Sequence, residues 1–154
     1  MAALKKTARP AAIEQVDTRY LQTLLGYNAR RAALSIIGVF LERLAVYDLK
    51  PVDFSVMSVI HHNPGVTSRQ LCASLAILPP NLVGLIQSLE SRGLIERRPH
   101  PTDGRAVGLH PTAQGVSLMQ QAEVTAAETE IEASSKLTPS QRQTLVQLLQ
   151  KIYL

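Results

Sequence analysis

The sequence predicts a mainly α-helical fold with one small β-hairpin, and a few observations carry that prediction. Aromatic residues are 4% of the 154 and Trp is absent, so Leu, Ile, Val and Ala must fill the interior, which favours packed helices over a β-sandwich. Apolar positions recur at three- and four-residue steps through most of the chain, the helical period. After Gly93 that period gives way to two short strand-like segments around the turn dipeptide Asp103-Gly104. With 45% hydrophobic and 18% charged residues the chain can bury one sizeable core, so residues 1–154 are expected to form one domain.

The elements follow in order. Residues 1–12 carry Lys5, Lys6 and Arg9 without the apolar run of a secretory signal, and are expected to be a flexible basic arm. From Tyr20 to Tyr47, Leu21, Leu24, Leu25, Ala29, Ala32, Ile36, Phe40 and Leu44 mark a long amphipathic helix with Arg30, Arg31, Glu42 and Arg43 on its polar face. Pro51 suits the first turn of a second helix, in which Phe54, Met57 and Ile60 share a face until Asn63-Pro64-Gly65 ends it. Thr67 is placed to cap a short helix from Ser68 to Leu75. A three-residue turn, Ala76-Ile77-Leu78, leads to a helix opened by Pro79-Pro80 and stopped by Gly93, with Leu82, Leu85, Ile86 and Leu89 facing inward. Two short helices around a tight turn match the helix-turn-helix pattern. Leu94–Arg98 and Ala106–His110 form the hairpin, with Arg105 just past its tip. Pro111-Thr112 opens a long acidic helix, and Thr138-Pro139 opens the last one, striped by Leu145, Leu148, Leu149 and Ile152.

A net charge of +4 is compatible with an anionic partner but does not identify one. Its distribution says more. Residues 68–112 hold five Arg against three acids, whereas 113–135 hold four Glu and no cation, so these are either sides turned toward and away from a polyanion or solvated surface. A single cysteine, Cys72, excludes an internal disulfide and fits a reducing cytoplasm. The longest apolar-rich run, Ala32–Leu41, is too short to span a bilayer, so the expectation is a soluble, cytoplasmic protein with no membrane partner. The first and last helices carry more apolar surface than a helix-turn-helix module needs. A second copy of the chain is the simplest cover, and folding back on their own core is the other.

Asn63-Pro64-Gly65, the stretch Leu71–Ile77, Leu85-Ile86 with Leu89-Glu90-Ser91-Arg92-Gly93-Leu94-Ile95, and Asp103-Gly104-Arg105 followed by Leu109, Thr112 and Gly115 together form a specific set. Through them the chain resembles the MarR family of winged-helix transcriptional regulators, whose wing carries an Asp-x-Arg signature. The resemblance covers residues 20–153. It implies a winged helix-turn-helix module at 51–112, dimerisation helices at 20–47 and 113–154, and a homodimer. Each recognition helix would enter the major groove of a pseudo-palindromic double-stranded operator, one helical turn or roughly 34 Å apart. The implied role is a repressor released by a small ligand.

On the second helix of the motif the inward leucines and isoleucine leave Asn81, Val83, Gly84, Gln87 and Ser88 for DNA, along with Pro79 and Pro80. Asn and Gln can pair with adenine, a Val methyl can meet thymine, and Gly admits close backbone approach. Asn81 could instead bond only the backbone of its own first turn. No basic residue lies between Arg69 and Arg92, where many members of the family place Arg or Lys. Arg105 at the wing tip suits a narrow minor groove, with Asp103 pairing to it or fixing the turn, unless it is only a solvated tip residue. Arg97 and Arg98 alternate on a strand, so one of them, Arg98, is taken to reach phosphate. Thr67, Ser68, Arg69 and Gln70 lie at a helix N-terminus suited to phosphate.

The family's effector pocket implies Tyr27, Arg30, Arg31, Phe54, Met57 and His61 as lining residues. The stretch Gly26–Ala32, with Asn81-Leu82-Val83, is similar to a branch that responds to coenzyme A thioesters of hydroxycinnamic acids, so the effector is expected to be an aromatic acid or its thioester. Arg30 and Arg31 suit phosphate or carboxylate, or are solvated or paired near Glu42 across a dimer. His61-His62, His100 and His110 have no acidic or cysteine partner at ligand spacing, so no metal and no cofactor is expected. Cys72 is expected to be a small core residue rather than a redox sensor. An enzyme is not expected: nucleophile-elbow, phosphate-loop and metal-triad patterns are absent. The charge-poor recognition helix leaves one other class, a winged-helix protein-interaction adaptor that has lost DNA binding.

Overall fold

A computed structural model describes residues 16–99 and 106–154. The expected basic arm at 1–12 and the wing tip with His100, Asp103 and Arg105 lie outside the described residues. The chain divides into two compact units, Met1–Ala32 and Ala33–Leu154.

In the first unit the expected continuous helix from Tyr20 is broken. Helix α1 (Arg19–Gln22) ends where Thr23 Oγ1 donates to the Tyr20 carbonyl at 2.7 Å, and α2 (Leu25–Arg43) begins two residues later. Asn28 Nδ2 donates to the carbonyls of Gln22 and Leu24, both at 2.8 Å. Short polar side chains have thus taken over carbonyls left open at the helix end. The apolar spacing persists across the break, which is why periodicity alone merged the two helices. Helix α2 runs on past Ala32 into the second unit, where Arg43 closes it and a single 3-10 turn at Ala45–Tyr47 stops at Asp48, whose φ of 50° is left-handed. Asp accepts that conformation more readily than most residues.

In the second unit, α3 (Pro51–His62) starts with Pro at its first turn, and the Asp53 carboxylate accepts the Lys50 N–H at 3.0 Å. β1 (Val66–Thr67) leads into α4 (Ser68–Leu75), and α5 (Pro79–Ser91) follows after a left-handed Ala76. Both helices of the motif therefore lie within the expected bounds. β2 (Ile95–Pro99) and β3 (Val107–Pro111) are antiparallel, each displaced by one residue from the expected strand. The sheet also has a third member that the sequence does not announce. β1 pairs with β3, Val66 opposite Leu109, giving the order β1-β3-β2. Two residues are too few to display an alternating pattern.

Leu44, Met57, Ile60, Leu71, Leu82, Leu89, Leu94, Leu109 and Met119 are completely or almost completely buried, so one core joins α3, α4, α5, the sheet and α6 (Ala113–Ala133). The last helix, α7 (Pro139–Tyr153), buries no residue. Leu145, Leu148, Leu149 and Ile152 are all exposed, as are Leu34, Ile37 and Leu41 on α2. Neither stripe folds back to complete the core of its own chain. No single helix among the described residues is long and apolar enough to cross a membrane.

The tightest approach of backbone to backbone is at the start of α6. A Cβ built on Gly115 would lie 2.0 Å from the Leu94 carbonyl oxygen, whereas one on Gly84, mid-helix in α5, would meet nothing within 4 Å. Gly115→Ala should therefore lower unfolding free energy by about 3 kcal/mol, because the backbone must shift. Gly84→Ala should raise it by about 0.5–1 kcal/mol by removing backbone freedom. Urea unfolding of both variants beside the parent checks the opposite signs.

Candidate nucleic-acid interface

The chain turns by 116° between α4 and α5, within the range of helix-turn-helix motifs. Leu71 on α4 and Leu82, Ile86 and Leu89 on α5 are buried, and this fixes the rotation of α5 about its axis. Asn81, Val83, Gly84, Gln87 and Ser88 consequently face outward as one exposed strip. The side chains of Asn81 and Gln87 hydrogen-bond to no described residue, so their amide groups are available to a partner. Since Gly84 has no neighbour that a side chain would strike, the fold does not require glycine there. It keeps the middle of the strip flat.

At the start of α4, Thr67 Oγ1 accepts the Gln70 N–H at 3.3 Å while the Gln70 amide oxygen accepts the Thr67 N–H at 2.9 Å. This reciprocal capping box engages both side chains locally. Ser68 and Arg69 remain exposed beside it, and Arg69 forms no ion pair with a described residue. Between α4 and α5 lies an apolar cleft of about 320 Å³ bordered by Arg69, Cys72, Pro79 and Val83. Cys72 is half-buried there and packs against the core.

The other described arginines of this module are held by partners. Arg97 Nε donates to Glu90 Oε1 at 2.8 Å and its Nη2 to Oε2 at 2.9 Å, so β2 is clamped to α5. Arg98, on the opposite face of the strand, bonds Glu96 two residues before it and keeps 58% of its side-chain exposure. Arg92 donates to the Tyr47 carbonyl at 3.0 Å and lies 3.8 Å from Asp48, tying the end of α5 to the turn after α2. The acidic stretch on α6 is likewise partly paired. Glu132 bonds Arg43 of α2 at 2.6 Å, and Glu123 accepts from Ser58.

The ligand candidates divide between the two units. Tyr27 is half-buried and Arg30 and Arg31 are exposed on α2 in the first, where they form no ion pair with a described residue. In the second, an open apolar cleft of about 360 Å³ is lined by Ile36, Ile37, Phe40, Phe54 and Ala126, with Glu130 at its rim. Phe40 and Phe54 meet edge to face, with centroids 5.4 Å apart. Of the expected lining residues in this unit only Phe54 borders the cleft. Met57 is completely buried in the core because α3 turns it inward, and His61 lies one turn further along. Ile36, Ile37 and Phe40 are lining residues that the sequence reading missed, although their three- and four-residue spacing was visible. Ala126 carried no signal. The histidine pair has no acidic partner at ligand spacing in the sequence, but the fold supplies one from far along the chain: Glu123 lies 2.9 Å from His62 Nε2, across 61 positions of sequence.

Known proteins share this arrangement. A model of the MarR family matches residues 47–106. The structure of a transcriptional repressor, CouR, bound to a 23-mer DNA duplex is 32% identical, covers 92% of this chain and 100% of its own, and superposes with a TM-score of 0.85. A protein named as a transcriptional regulator for the hcr operon of Thauera aromatica is 28% identical over 84% of this chain and 78% of its own. CouR from Rhodococcus jostii RHA1 bound to p-coumaroyl-CoA shares the fold at 24% identity, with a TM-score of 0.78 over 86% of this chain and 93% of its own.

The hydrogen bond from Arg97 holds the Glu90 carboxyl below its ordinary range and raises the Arg97 guanidinium in turn. A depressed carboxyl contributes stability that is complete above its unfolded value, about 4.3, and is lost as pH falls through the lower folded value. Glu90→Gln should therefore cost about 0.5 kcal/mol at neutral pH, a figure reduced for the solvent-exposed half of the pair. The deficit relative to the parent should vanish in strong acid, as followed by urea unfolding from pH 7 to pH 2.

Proposed function

The chain belongs to the MarR family, and from that premise we propose that it is a homodimeric, sequence-specific DNA-binding regulator of transcription, a repressor released by a small aromatic or acyl-CoA-type ligand. It acts in the cytoplasm and is not an enzyme. The observation that carries this reading is the outward strip of α5, whose Asn81, Val83, Gly84, Gln87 and Ser88 are exposed opposite a fully buried apolar face. Amide and methyl groups on a helix of that length match the edges of A·T pairs in a major groove. Ser68 and Arg69 flank the strip as phosphate contacts, with the capped start of α4 alongside. Arg98 reaches phosphate by exchanging Glu96 for it, and Arg105 with Asp103 belongs to the wing.

The uncovered leucine stripes on α2 and α7 support the homodimer, since a second copy of the chain buries both at once. Two modules held in fixed relation then meet successive major grooves. The apolar cleft around Phe40 and Phe54 supports an aromatic effector. Ligand binding shifts the population toward dimers whose recognition helices no longer match the groove spacing. The absence of Lys or Arg from α5 favours one second reading, an adaptor that binds protein instead of DNA.

Fluorescence anisotropy with duplexes from the intergenic region beside the gene separates the two. The regulator binds one duplex tightly and with strong salt dependence, while the adaptor binds none. Arg105→Ala should weaken binding and reduce the slope of log affinity against log salt by about 0.9 for each phosphate charge it neutralised. Gly84→Ala should weaken specific binding about tenfold while the free protein becomes more stable. Calorimetric titration with hydroxycinnamic acids and their coenzyme A thioesters tests the effector, and absence of heat from both classes would remove that ligand class.

A further inference from the structure

The last turn of α3 and the middle of α6 bring together three side chains that neither the DNA face nor the aromatic cleft uses. His61, His62 and Glu123 each present one ligand atom, and these three atoms lie within 4.8 Å of one another. The imidazole rings of His61 and His62 stand edge to face, with centroids 4.9 Å apart. Glu123 Oε1 lies 2.9 Å from His62 Nε2 and accepts the Ser58 hydroxyl at 3.0 Å. No Lys or Arg among the described residues pairs with this carboxylate. The side chains of His62 and Glu123 are 59% and 28% exposed, so an ion has a path from solvent.

His61 supplies the second observation. Its Nδ1 is the one buried side-chain polar atom without a hydrogen-bond partner among the described residues. A buried polar atom left unpaired is costly, because it has given up water and gained no partner. An ion pair between His62 and Glu123 accounts for those two residues alone and leaves His61 beside them with nothing to do. Two imidazoles and one carboxylate, with an open fourth position, are a donor set that suits a divalent transition-metal ion and Zn²⁺ in particular. The Ser58 hydroxyl is the kind of outer hydrogen bond that orients a ligating carboxylate.

We propose that His61, His62 and Glu123 form a binding site for a divalent transition-metal ion, with Zn²⁺ the preferred occupant and water completing the coordination. The bound ion staples α3, which precedes the helix-turn-helix, to α6, which follows the wing. Its occupancy therefore stiffens the frame that carries α4 and α5.

The test uses the full-length protein, stripped of metal and titrated with ZnCl₂ by calorimetry and with Co²⁺ by visible absorption. The expected result is one Zn²⁺ per chain, an intense tetrahedral Co²⁺ band and a higher melting temperature in zinc. His62→Gln and Glu123→Gln should each reduce zinc affinity by about tenfold or more and abolish the Co²⁺ band. His110→Gln should bind as the parent does. His62 is exposed, so its variant is a safe arbiter should Glu123→Gln fail to fold. No zinc uptake by the parent, or uptake unchanged in His62→Gln, overturns the proposal and leaves a simple histidine–carboxylate pair.

Discussion

The junction of Thr112, Gly115 and the Leu94 carbonyl is the constraint on which the rest of the second unit depends. The Thr112 N–H donates to the Leu94 oxygen at 3.0 Å, its hydroxyl donates to the Gly93 oxygen at 2.6 Å, and the same hydroxyl accepts the Gly115 N–H at 3.0 Å. Glycine at 115 lets the first turn of α6 lie directly against that carbonyl. Four backbone events are therefore fixed at one place: α5 ends, β2 begins, β3 ends and α6 starts. Gly93 turns the chain there with a φ of +66°. Helix α5, strands β2 and β3 and helix α6 share a common root, and a displacement of one is felt by the others because close-packed interiors transmit strain.

Around that root the charged residues act more as internal ties than as a field. Arg97 is bound to Glu90, Arg92 to the turn after α2, and Arg43 to Glu132. Each pair crosses between two elements, and such exposed pairs contribute little to stability individually; the Arg97 pair ties β2 to α5, Arg92 ties α5 to the turn after α2, and Arg43 ties α2 to α6. Among the described residues of the module, Arg69 forms no ion pair and lies exposed with Ser68 beside the strip of α5.

Much of this was legible in the sequence, for local reasons. The helix-turn-helix was visible because its stop and start signals, Thr67, Pro79-Pro80 and Gly93, act within a few residues and the burial of Leu82, Ile86 and Leu89 follows one period. The outward strip followed by subtraction. The break between α1 and α2 was not visible, because it depends on Asn28 reaching back to the carbonyls of Gln22 and Leu24 while the apolar spacing runs on unaltered. β1 was missed because a two-residue strand exists only through its partner. Met57 was placed in the ligand site and is core, since a helix face shared by Phe54 and Met57 cannot distinguish the cleft from the interior behind it.

By itself the sequence determined the element order, the caps, the buried face of each helix and, through the motif set around Asp103-Gly104-Arg105, the family. These rest on interactions of short range or on periodicity, which a linear string records in full. Tertiary structure alone decided which arginines are engaged and which are left, that Ile36, Ile37 and Phe40 meet Phe54 and Ala126 at a cleft, and that Glu123 arrives beside His61 and His62. The reason is the same in each case. Side chains far apart in sequence are brought within bonding distance only by the packing of α3 against α6, and no local pattern encodes that distance.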